Sequence, residues 1–192
     1  MNNWLSFFTL YFSDLHTAED FVRHCESLTP ADANHKAKIM MRQTQSLISI
    51  ADDLPKLRPK RESLQLLFLM ICAEHISKVH DGFTGEGQSK KYVKRFFNEF
   101  LSKAAKDKLE TSFIDNATLP MTALGFEKVV DLLYDVRCDV VHEGKYWGFS
   151  FHDGNTPMVN VEPNVNVHLT FLEFKDIVVK GCINAIKDKL KP

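Results

Sequence analysis

The sequence has few cysteines and no closely spaced pair of them. Its 192 residues include 4 cysteines, Cys25, Cys72, Cys138 and Cys182, which lie far apart along the chain. Zinc modules and disulfide frameworks both depend on cysteines at short, regular spacings. The pattern therefore argues against a metal module and a secreted disulfide scaffold, and it favours reduced thiols in a cytoplasmic protein.

Long hydrophobic runs are also missing. No stretch reaches the roughly 18 apolar residues that a membrane-spanning helix needs, so no membrane association is predicted. The aromatic segment MNNWLSFFTLYF at the start lacks the basic region and the small-residue cleavage site of a signal peptide. We expect this segment to pack against the core or to form an interface.

The sequence has no excess of charge of one sign and no repeat or low-complexity tract. The formal net charge is −1, so any contact with nucleic acid must come from a local basic patch. Hydrophobic residues make up 44% of the chain, a typical content for a globular protein that buries a core. We expect one domain over residues 1–192 and no cofactor.

Two glycine motifs of enzymes are absent. The glycine-rich stretch HDGFTGEGQS, residues 80–89, lacks the spacing and the preceding strand of a phosphate-binding loop. No G-x-S-x-G sequence supplies the nucleophile turn of a serine hydrolase. Nucleotide hydrolysis by a P-loop and serine-based catalysis are therefore not predicted.

Apolar periodicity predicts a mainly α fold, a helical bundle with a small β-hairpin before the C-terminal helix. Ser89 and a capping box of Thr170 and Glu173 mark two helix starts, and a loop is expected through Pro120. Apolar spacing and stop signals mark the other elements. The predicted helices are 30–54, 62–79, 90–109, 122–143 and 170–190, and the predicted hairpin is about 146–169. Helix 62–79 is apolar on nearly all sides, which is typical of a helix surrounded by others.

Two ionisable residues stand out within these helices. On a helical projection, Arg137 falls between Val130 and Val141 at the edge of an apolar face. A guanidinium in that position needs a carboxylate partner, because burying an unpaired charge is very costly. Glu74, an acid inside the most apolar helix, is the predicted partner.

His142 lies one turn before Gly144, which is expected to end the helix. The negative end of the helix dipole and the nearby Asp139 favour a protonated imidazole there. Histidine can give or take a proton near neutral pH, and a fixed cation nearby suits phosphodiester chemistry.

The segment RCDVVHEG, with Arg137, four residues and then His142, resembles the R-x(4–6)-H signature of the HEPN superfamily. The resemblance covers a core of about residues 60–145. It implies a helical bundle that commonly dimerises, and in many members a metal-independent ribonuclease of toxin–antitoxin or phage-defence systems. It also implies that His142 is the general acid or base and that Arg137 stabilises the charged phosphate. Glu74 and Asp139 are expected to support the site because of their positions beside Arg137 and His142.

A basic helix face is a candidate RNA contact. Lysine and arginine alternate with aromatic residues there, as in surfaces that bind single strands by phosphate contact and stacking. The residues are Lys90, Lys91, Lys94 and Arg95. A solvated face of an amphipathic helix gives the same pattern.

These patterns predict a metal-independent endoribonuclease that cleaves single-stranded RNA as a homodimer, with an antitoxin or another protein as a further partner. The alternatives are an inactive HEPN-like module that binds a protein or nucleotide, and a structural protein in which Arg137 and Glu74 only fix helix packing. A metal site of Asp135, Cys138 and His142 lacks a convincing fourth ligand, so zinc is not predicted.

Overall fold

The computed structural model describes residues 3–117, 120–152 and 162–191. The first part of the chain is helical, with a short 3₁₀ turn at Thr9–Tyr11. Its helices are α1 (Asn3–Phe8), α2 (Leu15–Ser27), α3 (His35–Leu57), α4 (Glu62–Asp81), α5 (Ser89–Glu99) and α6 (Lys103–Thr111).

The second part adds a small sheet and two further helices. Its elements are β1 (Phe113–Asp115), β2 (Thr122–Ala123), α7 (Phe126–Cys138), a π-turn (Asp139–Glu143), β3 (Val165–Val167) and α8 (Phe171–Leu190). The predicted fold class, mainly α with a small β element before the last helix, is confirmed. Among the described residues, no helix is long and apolar enough to cross a membrane.

Helix α4 is the centre of the bundle, because it packs against α3, α5, α7 and α8. Leu66, Leu69, Ala73 and Ile76 on different sides of α4 are all fully buried. This arrangement explains why its sequence is apolar on nearly every side. The charged Glu74 side chain is therefore held inside protein on the same helix.

Helix α3 begins and ends later than predicted. The stretch from Thr29 to Asn34 is not helical, because the Asp32 carboxylate accepts bonds from the backbone N–H of Thr29 at 2.6 Å and its hydroxyl at 2.7 Å. At the other end, Pro55 lies inside the last turns and cannot donate to Ala51. The Gln65 amide of α4 donates to that Ala51 carbonyl at 3.2 Å instead, so the helix continues to Leu57.

The predicted basic helix 90–109 is divided into α5 and α6. Phe100 ends α5, and the side chain of Ser102 accepts a bond from the N–H of Ala105 to cap α6. Ser89 was expected to cap α5, but Gln88 occupies the capping position in a left-handed conformation. Ser89 is thereby free to bond elsewhere.

The observed sheet is not the hairpin predicted within residues 146–169, because β3 pairs with β1, a strand earlier in the chain. Strand β1 is central and pairs antiparallel with both β2 and β3. The segment through Pro120, expected to be a loop followed by a helix from Thr122, thus forms a β1–β2 hairpin, and α7 begins only at Phe126. The N–H of His152 donates to the carbonyl of Leu169 at 2.8 Å, while residues 153–161 of the predicted hairpin lie outside the described residues.

Both ends of the described chain pack as the sequence predicts. In α1, Phe8 is fully buried and its ring lies 5.3 Å from that of Phe21. At the start of α8, Thr170 and Glu173 form the predicted capping box. The capping bonds, together with the Lys108 ammonium, lower the pKa of the Glu173 carboxyl to about 2.

Candidate functional site

The candidate site lies at the end of α7. This helix buries Val129, Val130, Leu133 and Val136, and its last residues bring Arg137 back toward α4. Gly144 ends the segment with a φ of 65°, and its N–H donates to the carbonyl of Asp139. The predicted stop at Gly144 is confirmed.

Between Arg137 and Gly144 the α-helix changes to a π-turn. In an ideal α-helix, residues five apart point about 140° away from each other. A π-turn closes i→i+5 bonds and therefore turns less at each residue. The change reduces the angle between the Arg137 and His142 directions, and such turns are frequent at functional sites.

The predicted pair of Arg137 and Glu74 is present. Arg137 Nη2 donates to Glu74 Oε2 at 3.2 Å, and the two side chains are only 14% and 11% exposed. The other carboxylate oxygen, Oε1, accepts from Lys78 Nζ and from Ser89 Oγ, each at 2.7 Å. One buried carboxylate thus ties α4, the start of α5 and the end of α7 together.

The Glu74 cluster leaves hydrogen-bonding capacity on Arg137. Two cations, Lys78 and Arg137, share a single carboxylate, so the cluster carries a net positive charge. Arg137 Nε is buried and has no hydrogen-bond partner within the described residues. A buried donor without a partner is costly, and the excess positive charge of the cluster favours an anion at its exposed edge.

Tyr134 lies between two cations at this site. Its ring centre is 5.6 Å from the Arg137 guanidinium carbon and 5.7 Å from Lys90 Nζ, distances typical of cation–π contacts. Burial and a hydrogen bond with the Cys138 thiol raise the pKa of the Tyr134 phenol, which stays protonated at neutral pH. Sequence reasoning missed Tyr134, because an aromatic residue on an amphipathic helix normally indicates only core packing.

His142 lies on the exposed side of the π-turn. Within the described residues, no hydrogen bond or ion pair joins it to a neighbour. Three large hydrophobic residues near it in sequence are also exposed. Their exposed fractions are 48% for Val141, 43% for Tyr146 and 59% for Trp147. The imidazole is thus accessible beside an apolar surface.

Asp139, predicted to support the site, mainly helps to end the π-turn. Its carbonyl accepts the N–H groups of Gly144 and Lys145, and its carboxylate lies 3.7 Å from Lys145 Nζ. Lys145 also pairs with Glu143 at 2.5 Å. Asp139 therefore fixes the backbone that carries His142.

The structure separates the predicted RNA-contact residues. Lys90 and Lys94 both pair with Asp131 at 2.9 Å, and hydrogen bonds from these lysines lower the pKa of that carboxyl. Lys91 is exposed and bonds to Gln88 at 3.2 Å. Arg95 instead contacts α4, donating to the carbonyl of Ser77 at 3.1 Å. Of the four, Lys90 shares an aromatic neighbour, Tyr134, with Arg137.

The described residues contain no group of three or more histidine, cysteine or acidic side chains arranged to hold a metal ion. Cys138, considered as a ligand together with Asp135 and His142, forms no such group with these two residues.

No protein-family model matches the chain, and comparisons with curated proteins and with solved structures also find no match.

Proposed function

We propose that this protein is a metal-independent endoribonuclease of the HEPN type that cleaves single-stranded RNA. One observation carries the proposal: Arg137, fixed by a buried carboxylate, lies just before the exposed π-turn that carries His142. An immobile cation beside an accessible proton-transfer group is the combination that phosphodiester cleavage needs.

In the proposed reaction, His142 removes the proton of the ribose 2′-hydroxyl, and the 2′-oxygen attacks the adjacent phosphorus. The Arg137 guanidinium, whose side chain is 14% exposed, stabilises the additional negative charge on the phosphate. The P–O5′ bond then breaks, and the leaving oxygen takes a proton from a second His142 or from water. The products are a 2′,3′-cyclic phosphate and a 5′-hydroxyl.

A homodimer supplies the second histidine in this scheme. The 2′-oxygen attacks on one side of the phosphorus and the 5′-oxygen leaves on the opposite side, so one imidazole cannot serve both oxygens at the same time. The exposed Val141, Tyr146 and Trp147 beside His142 provide apolar surface where a second copy can pack.

We propose a cytoplasmic enzyme of toxin–antitoxin or phage-defence systems, with an antitoxin or another protein partner restraining it.

The experiment is cleavage of labelled single-stranded RNA in excess EDTA by the wild type and by His142→Ala. We expect cleavage with cyclic phosphate ends by the wild type and a loss of at least 100-fold in His142→Ala, the typical contribution of general acid–base catalysis. His16→Ala is the matched control, because His16 is a histidine with an 82% exposed side chain on α2.

Two outcomes would contradict the proposal. Cleavage that disappears in EDTA and returns with magnesium would indicate a metal-dependent enzyme. Cleavage of equal rate in wild type and His142→Ala would remove His142 from the chemistry.

The alternative function is an inactive HEPN-like module that binds a protein or a nucleotide. The observation that favours it is the low exposure of Arg137, 14%, since a deeply held arginine also serves to fix helix packing. This alternative predicts a stable complex and no RNA cleavage by any variant. Co-purification followed by the same RNA assay distinguishes the two functions.

A further inference from the structure

A second site lies away from the candidate nuclease site, where the end of α4, the end of α5 and the last turns of α8 meet. The cavity there has a volume of about 500 Å³. This size falls within the range of small-molecule sites, and it exceeds the space that a single inorganic ion fills. His80, Arg95, Phe100, Ser102, Asn184 and Lys187 are among its lining residues.

His80 lines this cavity, and two polar contacts hold its imidazole in place. Its Nε2 lies 3.1 Å from Asp188 Oδ2, and its Nδ1 lies 3.2 Å from Arg95 Nη2. Arginine can only donate, so Nδ1 accepts, Nε2 carries the hydrogen and the imidazole is neutral. Burial, the main influence on its pKa, lowers it and favours the same state. The ring also packs against Phe100 with centres 4.8 Å apart.

Lys187 is the cation that remains available to a ligand. Arg95 and Lys191 already pair with Glu99 and Asp188, each at 2.8 Å. Lys187 Nζ lies 4.7 Å from the ring centre of Phe12, and within the described residues no carboxylate is at ion-pair distance from it. The cavity therefore offers one unneutralised positive charge.

Two other polar residues that line the cavity retain free hydrogen-bonding capacity. The Ser102 oxygen accepts from the N–H of Ala105 at 3.2 Å, which leaves its hydroxyl hydrogen to donate. The Asn184 amide nitrogen donates to the carbonyl of Phe100 at 2.9 Å, which leaves its side-chain oxygen to accept. Phe100 and Leu101 also line the cavity and add apolar surface.

We propose that this cavity binds a small phosphate monoester attached to an organic ring or sugar. Lys187 and the Ser102 hydroxyl hold the phosphate, which needs both charge and donors. The Asn184 oxygen accepts a hydroxyl or amino group of the organic part, and that part packs against Phe100 and Leu101. The proposal is independent of RNA cleavage, because none of these residues belongs to the Arg137 and His142 site.

The test is calorimetric titration of the full chain with adenosine monophosphate, adenosine and inorganic phosphate. We expect saturable binding of the monophosphate and at least tenfold weaker binding by Lys187→Met, because this variant removes the charged donor to the phosphate. The matched control is Lys180→Met, which removes another α8 lysine that pairs with Asp176 at 2.8 Å outside the cavity. This control should bind like the wild type.

Three outcomes would overturn the proposal. The first is the absence of saturable binding of the monophosphate by the wild type. The second is equal affinity of the wild type and a folded Lys187→Met, which would place the ligand elsewhere. The third is binding of adenosine or of inorganic phosphate as tightly as adenosine monophosphate, which would show that one half of the ligand is not recognised.

Discussion

At the scale of single residues, Glu74 has the largest structural role at the candidate site. One buried carboxylate pairs with both Lys78 and Arg137 and also accepts the Ser89 hydroxyl. Loss of Arg137 and loss of the Glu74 charge should therefore destabilise the protein to different extents. Removing Arg137 leaves Glu74 paired with Lys78, whereas removing the charge of Glu74 leaves two poorly exposed cations without a carboxylate.

We therefore predict that Glu74→Gln lowers the free energy of unfolding by about 3 kcal/mol, the usual cost of leaving a buried charge unpaired. Arg137→Met should cost less, about 1 kcal/mol, because the carboxylate keeps one cation and the methionine can pack. Urea denaturation of each variant measures both values.

The control for this comparison is Asp53→Asn, which breaks the exposed pair of Asp53 with Lys56. It should change stability by less than about 0.5 kcal/mol. A larger loss in Arg137→Met than in Glu74→Gln would contradict the central position of Glu74.

At the scale of elements, the π-turn and its glycine stop determine where His142 is presented. A β-carbon on Gly144 would approach nothing closer than the Tyr146 hydroxyl at 3.7 Å. Space is therefore adequate, and the left-handed backbone with a φ of 65° is what requires glycine. The stop depends on backbone conformation and not on close packing.

We predict that Gly144→Ala lowers the free energy of unfolding by about 1 kcal/mol, the cost of placing a β-carbon in the left-handed region. Gly144→Asn should lose less, because asparagine tolerates this conformation better than alanine does. Urea denaturation of both variants checks the order, and equal stability of all three proteins would refute the need for a left-handed stop.

The parts of the fold that could be predicted from sequence are those with a local chemical cause. Gly144 as a stop, the capping box of Thr170 and Glu173, and the pairing of Arg137 with Glu74 each follow from one conformational or electrostatic requirement.

The remaining features depend on contacts that the sequence pattern does not show. A π-turn has no residue signature, and strands of three and two residues, such as β1 and β2, are too short for an alternating pattern. The Tyr134 contact with Lys90 joins α7 to α5, so it was not visible from either segment alone.

At the scale of the whole molecule, two partly buried histidines couple folding to pH. Burial lowers the pKa of His75, with the Lys78 charge adding to the effect, and burial also lowers the pKa of His80. The unfolded chain, in which histidine has a pKa of about 6.5, therefore binds more protons than the folded protein as pH falls. Their contribution to stability is complete above about pH 6.5 and is lost below it.

We predict that the free energy of unfolding decreases by on the order of 1 kcal/mol between pH 7.5 and pH 5. The double variant His75→Gln and His80→Gln should show a smaller decrease, measured by urea denaturation at each pH. His16→Gln is the control, because His16 is an exposed residue. An unchanged pH dependence in the double variant would exclude these two histidines as its source.

The pairing of β1 with β3 also has a consequence for the order in which the protein is made. The two strands lie on either side of α7 in sequence, and α8, which packs against α4, follows both. A chain growing from the ribosome can therefore bring Arg137 and Glu74 together before β3 and α8 have been synthesised. Helix α4, which carries Glu74, gains its α8 neighbour only afterwards, so translation itself delays completion of the bundle around α4.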